Sequence, residues 1–230
     1  MHALDERGWA HLESGDAEAA LADFTAALEL DPSYFWPLAG RGLARRALGD
    51  LEGALADLAG ALEIEPDHPD VIEELGATLQ ELGTGERAIA ALEVALELGQ
   101  PAPRLLNRLA WILATSPQLE LRDPERAVAL AREAVGREPG EGFLWNTLGA
   151  ALYRAGEWEE ALEALARSAE LRERDPHDGL FAAMALARLE RPEEARLRFD
   201  EAVAWMEEEE PGDGELARFR DEAAELLGVD

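Results

Sequence analysis

Cysteine and lysine are both missing from the 230 residues, so all 21 basic side chains are arginine. Without cysteine there is no thiol nucleophile, no disulfide and no cysteine-ligated zinc or iron–sulfur site. Without lysine there is no P-loop lysine, no lysine to anchor ATP in a kinase and no Schiff base. Positive charge is scarce altogether: 50 Asp and Glu leave a net charge of −29. That excludes broad attraction to nucleic acid or to an anionic membrane, both of which are polyanions. No run approaches ~18 uninterrupted apolar residues, so no membrane-spanning segment is expected. Met1 to Arg7 carries two acids and lacks the apolar core of a signal peptide. Together with the missing cysteine, this sets the expectation of a reducing, cytoplasmic setting.

What is present is a helix former's composition. Ala, Leu, Glu and Arg dominate, Val and Ile are few, and 47% of residues are hydrophobic, so the chain folds and its acids coat a surface. An alanine recurs after each Gly/Asp/Glu-rich turn at Ala20, Ala54, Ala88, Ala127, Ala161 and Ala195, with separations of 34, 34, 39, 34 and 34. Small residues stand twelve positions earlier at Gly8, Gly42, Gly76, Gly149 and Ala183, and seven positions later at Ala27, Ala61, Ala95, Ala134, Ser168 and Ala202. Four positions later stand Phe24, Leu58, Leu92, Ala131, Leu165 and Phe199. In the second unit Leu38–Leu48 reads as helix A and Leu51–Ile64 as helix B, with Gly49 at the left-handed helix end and Asp50 as the next N-cap. Pro32, Pro66 and Pro139 close their B helices. The small residues let neighbouring helices approach to the usual 8–10 Å.

This pattern resembles the tetratricopeptide repeat (TPR), a helix–turn–helix unit of about 34 residues. Its signature, W-x2-L-G-x2-Y followed by A-x3-F-x2-A and a closing P, is best matched by Trp145, Leu148, Gly149, Leu152, Ala161 and Leu165; the first unit departs from it at Arg7 and His11. The resemblance implies an all-α, right-handed superhelical solenoid. Six units are expected at 1–34, 35–68, 69–102, 103–141, 142–175 and 176–208, followed at 209–230 by an acidic linker and a capping helix. The cap is expected over 214–228, with Leu216, Phe219, Ala223 and Leu226-Leu227 on one stripe. The Glu207–Glu210 run opposes the helix dipole and is expected to fray. The segments around Leu106–Val128, Trp145–Gly149 and Ala202–Met206 further resemble TPR segments at the C-terminal ends of large bacterial serine/threonine kinase or WD40 proteins.

Function follows from the resemblance as expectation. The A helices of the family line a concave groove, which puts Asp5, Trp9, Trp36, Asp70, Glu73 and Gln80 on that face in units one to three. In units four to six the candidate partner-binding residues are Arg104, Asn107, Trp111, Phe143, Asn146, Tyr153, Arg154, Met184 and Arg188, where hot-spot residue types gather. The expected partner is a protein or peptide segment, with no nucleic acid, no membrane and at most weak self-association of a monomer. The carboxylate clamp of some TPR domains is absent: Arg104 and Arg108 fit part of it, but Ala39, Leu43 and Glu74 occupy the companion positions. His2, His11, His68 and His177 show no metal-ligand spacing and are expected at the surface. The inserted connection Ser116–Pro124 suits either a partner-contacting loop or a structural one in which Asp123 caps helix B and Pro124 opens it. No catalytic constellation and no cofactor motif is found, so a non-catalytic scaffold is expected. A spacer or regulatory tail of a kinase-type assembly, or an idealised repeat without an evolved ligand, are the alternatives. Residues 1–100 carry 21 acids and 5 bases, whereas residues 101–140 carry 5 acids and 6 bases.

Overall fold

The structure, a computed structural model, describes residues 2–65, 68–83, 85–98, 102–172, 175–209 and 213–229. Thirteen α-helices and one 3₁₀ turn account for most of the described residues, and no strand occurs among them. Pro66, Glu210 and the side chains of Glu73, Gln80, Ala95 and Glu209 lie outside what is described. The chain forms two compact units, residues 1–105 and 106–230.

The first unit holds α1 (His2–Glu13), α2 (Ala17–Leu30), α3 (Phe35–Ala47), α4 (Leu51–Ile64), α5 (Pro69–Leu82) and α6 (Glu86–Leu98). Asp16 and Asp50 cap α2 and α4, their carboxylates accepting from the backbone N–H of Ala19 and Gly53 at 3.1 and 3.0 Å. Gly15, Gly49 and Gly83 turn the chain between paired helices with φ of 81°, 83° and 75°, the left-handed region a Cβ penalises. Helix α3 begins at Phe35, three residues before the expected Leu38. Pro37 falls in its first turn, where a missing N–H costs no helix bond.

Close approach needs the glycines too. A Cβ on Gly8 would lie 2.7 Å from the Phe24 ring, and one on Gly42 would lie 2.8 Å from Leu58. Gly76 departs from the pattern: a Cβ there would meet nothing within 4 Å, and α6 packs on α4. Two ion pairs repeat with the fold. Arg7 holds Asp23 through two bonds of 2.6 and 2.5 Å. Arg41, 34 residues on, holds Asp57 at 2.8 and 2.6 Å, and Arg45 adds a bond of 2.8 Å.

The second unit takes in most of α7 (Pro103–Thr115), then α8 (Pro124–Arg137), α9 (Gly142–Ala155), α10 (Trp158–Leu171), α11 (Pro176–Arg188), α12 (Pro192–Glu209) and α13 (Gly214–Leu227). The connection before α8 folds on itself: the Arg122 Nε–H donates to the Ser116 carbonyl at 2.7 Å and the Asp123 N–H to the Leu113 carbonyl at 3.0 Å. Asp123 then caps α8, with Pro124 in its first turn. Helix α12 runs through Glu207 and Glu208 to Glu209, so the expected fraying is not seen there. Met206 is buried and anchors the last turns, and Glu is itself a good helix former.

All six marker alanines, in both units, are fully buried. Helix α13 packs on α11 and α12, and its buried residues are Leu216, Phe219 and Ala223.

Candidate functional site

The aromatic side chains of α1 and α3 shape a cavity in the first unit. Trp9 sits one turn after Asp5 on α1, and its indole N–H donates to an Asp5 carboxylate oxygen at 3.1 Å. The other Asp5 oxygen accepts from the Tyr34 hydroxyl at 3.3 Å. These bonds hold the Trp9 ring edge-on to Trp36, with centroids 6.3 Å apart, and His68 stands edge-on to Trp36 at 5.4 Å. Trp36 remains 45% exposed, the most open of these rings. Leu43 on α3 and Val71 on α5 complete an apolar floor, and Asp5, Asp70 and Glu74 supply carboxylates around it. The cavity measures about 490 Å³, within the range of small ligand sites. Glu74 accepts from Arg46, which also bonds Glu81 at 2.8 Å.

In the second unit the corresponding face is covered by the chain's own last helix. Trp111 is half-buried, edge-on to His177, Phe181 and Phe219 at 5.4, 6.3 and 6.0 Å. Its indole N–H points at Glu215 of α13, 3.4 Å away. Arg154 clamps both carboxylate oxygens of Glu222, the second at 2.7 Å, and its guanidinium lies 5.3 Å from the Tyr153 ring and 5.5 Å from the Phe181 ring. Tyr153 is buried, which raises its phenol pKa although a hydrogen bond from Arg188 opposes that rise. Met184 is fully buried. Asn146 is buried as well and donates to Asp178 at 2.7 Å. Phe143, Asn107 and Arg154 are half-buried, and Arg104 and Arg188 are exposed.

The structure therefore brings Trp111, Tyr153 and Arg154 together with Phe181 and α13, and buries Met184 on α11. Arg104 belongs to the first unit. Charge gathers under α13. Burial lowers the pKa of Arg108, Arg122 and Arg218, and the carboxylates Glu215 and Glu222 oppose this for the guanidiniums they face. Burial pushes Glu222 upward, but the hydrogen bonds and charge of Arg154, with Arg122 and Arg218, pull it below the ordinary range.

A polar knot lies beneath α11. The Ser168 hydroxyl donates to Asp178 at 2.9 Å, and His177 Nδ1 meets Asp175 at 2.8 Å. Burial raises the Asp178 carboxyl, with Asn146, Arg172 and Ser168 opposing. Asp175 is lowered despite burial, because His177 and Arg172 hold its charge. Ser, His and Asp are thus close in space, yet the serine bonds Asp178 and His177 Nε2 bonds nothing. No nucleophile–base contact forms there. His177 is a packed residue rather than the expected surface one, because it lies against Trp111 and Phe219.

Asp5, Trp9, Trp36 and Asp70, all expected on one face, line the first-unit cavity. His68, Val71, Glu74, Glu215, Phe219 and Glu222 were not legible as parts of these surfaces. The apolar stripe of α13 announced a docking helix but not what it covers.

Tetratricopeptide-repeat family models match residues 45–112 and residues 2–34 and 142–175, together more than half of the chain. Protein HemY of Escherichia coli strain K12 is 39% identical over 85 residues, which is 36% of this chain and 21% of HemY. The chain thus spans about a fifth of the length of that relative. Among solved structures, YrrB, described as a TPR protein with an unusual peptide-binding site, is similar with a TM-score of 0.56 and 22% identity, over 86% of this chain and 97% of that one. PilF of Pseudomonas aeruginosa is similar with a TM-score of 0.51 and 20% identity, over 96% of each chain. These likenesses show a helical-repeat fold; the finer resemblance to kinase- or WD40-associated segments draws no support from them.

Proposed function

Because the chain is a tetratricopeptide-repeat protein, a fold that serves generally as a protein-interaction scaffold, we propose that it binds a peptide segment of a partner protein in the cavity of its first unit. TPR proteins are typically non-catalytic scaffolds, and the reading for this chain is binding without chemistry. One observation carries it: the Trp9–Trp36 cavity is open, apolar at its floor and about 490 Å³ in volume. Tryptophan is among the residue types most enriched at binding hot spots. In the second unit α13 lies over Phe181 and Trp111, and the unit's cavity of about 500 Å³ between α10, α11 and α12 has Trp205 as its one aromatic lining residue among the described residues.

The test is a titration with a pool of synthetic dodecapeptides of varied sequence, followed by mass spectrometry of the retained species. Peptide retention by the wild type and its loss in Trp36→Ala supports the reading. Retention unchanged in Trp36→Ala and reduced by Phe219→Ala would move the site to the second unit and overturn it.

A further inference from the structure

We infer that the first-unit cavity recognises a cationic side chain, an arginine or lysine of the bound peptide, held against Trp36 and Trp9 with Asp5, Asp70 and Glu74 around it. This rests on the peptide-binding reading above and adds the chemical class of the anchor.

Three features of the cavity converge on a cation. First, two of its wall residues, beside the His68 imidazole, are indoles, the aromatic surfaces with the strongest attraction for a positive charge. Trp9 is locked in place by its bond to Asp5, and Trp36 presents its ring to solvent. Second, three of the lining side chains are carboxylates, and no arginine lines the cavity. Arg7, Arg41 and Arg45 are committed to Asp23 and Asp57, while Arg46 is shared between Glu74 and Glu81. Third, Asp5 is only 7% exposed and accepts one bond on each oxygen, from Trp9 and Tyr34, whereas a carboxylate oxygen has room for two.

The competing occupants fare worse. A purely apolar side chain would cover the Asp5 and Asp70 carboxylates and the Glu74–Arg46 pair without offering their oxygens a further donor. An acidic side chain would add like-charge repulsion in a chain of net charge −29. Arginine or lysine meets both parts of the cavity, laying an aliphatic stem on Leu43 and Val71 and a charged head among the carboxylates. The rule that the long side chains of basic residues carry an apolar stem is what lets one residue satisfy floor and rim together.

The experiment compares three otherwise identical dodecapeptides carrying arginine, its neutral isostere citrulline, or glutamate at the varied position. Binding is read from tryptophan fluorescence of the full chain. Expected is a preference of about tenfold for arginine over citrulline, equivalent to about 1.4 kcal/mol. The preference shrinks several-fold in Asp70→Asn, an exposed substitution that leaves the packing untouched, and on raising salt. Equal binding of the arginine and citrulline peptides overturns cation recognition while leaving peptide binding in place, as does tighter binding of the glutamate peptide. Failure of all three to bind removes both readings.

Discussion

Glu190 adopts φ of 57°, in the left-handed region, at the turn between α11 and α12. The equivalent turns use Gly15, Gly49, Gly83 and Gly156. A side chain in this conformation costs roughly 1 kcal/mol because Cβ crowds the following carbonyl. Glu190→Gly is therefore expected to stabilise the protein by about 0.5–1 kcal/mol, part of the relief being offset by the entropy of a freer unfolded chain. Thermal unfolding reads this as a rise of roughly 2 °C; a fall would show that the Glu190 side chain makes a contact worth more than the strain. The ion pair of the second repeat gives a second residue-scale prediction. Asp57 is 4% exposed and holds both Arg41 and Arg45. Asp57→Ala strands the Arg41 guanidinium, whereas Arg45 keeps the Gly53 carbonyl and Asp50, and is expected to cost about 3 kcal/mol. Arg41→Leu with Asp57→Ala installs the Leu148 and Ala164 found at the same places of the fifth repeat. Chemical denaturation should show the double variant recovering most of the loss, and a double variant as unstable as the single one would refute the exchange. Here the sequence was only half legible. Arg7 read as a departure from the repeat's usual leucine, because its compensating partner Asp23 lies at a position the family signature leaves unspecified.

At the scale of the element, α4 was legible to its last residue, since Gly49, Asp50 and an uninterrupted apolar register mark both ends. Helix α13 was legible as a helix but not as the cover of Trp111 and Phe181. A stripe of Leu216, Phe219 and Ala223 states that something apolar is opposite, and only the assembled fold says what. The same limit applies to Arg154, a hot-spot residue type by sequence, whose guanidinium is engaged by Glu222. The docking of α13 should depend on pH with a definite sign. Glu222 has a folded pKa below its unfolded value of about 4.5. Its contribution to stability is full above that value and is lost as the pH falls through the folded value. The groups facing it are Arg154 of α9, Arg122 before α8 and Arg218 on α13 itself, all cations that favour its ionised form. Asp178 acts in the opposite direction: its raised pKa means that protonation relieves a burial cost, so it cannot produce an acid-induced loss. Fluorescence of Trp111, made the sole tryptophan of the chain, should therefore report loosening of α13 below pH of about 4.5. In Glu222→Gln the loosening should already be present at neutral pH and vary less with acid. An unchanged acid midpoint in that variant would assign the effect to other carboxylates.

For the whole molecule, charge sets an expectation that separates folding from binding. Fifty acids face 21 arginines, so even complete pairing leaves a large excess of carboxylates that repel one another. Several of the visible pairs are exposed neighbours on one helix, such as Arg196 with Asp200 and Arg167 with Glu170, and such pairs contribute ~0–1 kcal/mol each. Salt weakens these small attractions and the larger self-repulsion together, with screening lengths falling from about 10 Å at 0.1 M to about 3 Å at 1 M. Repulsion is the more extended of the two and is lost first, so the melting temperature should rise between low and high sodium chloride. Attraction of a basic peptide into the Trp9–Trp36 cavity runs the other way, since the field that draws it is the one being screened. The two measurements on one sample should thus move in opposite directions with salt. A melting temperature that falls as salt is added would mean that the part-buried pairs Arg41–Asp57 and Arg154–Glu222 outweigh the excess charge. Peptide affinity that ignores salt would place the peptide's contacts on the indoles and the apolar floor alone.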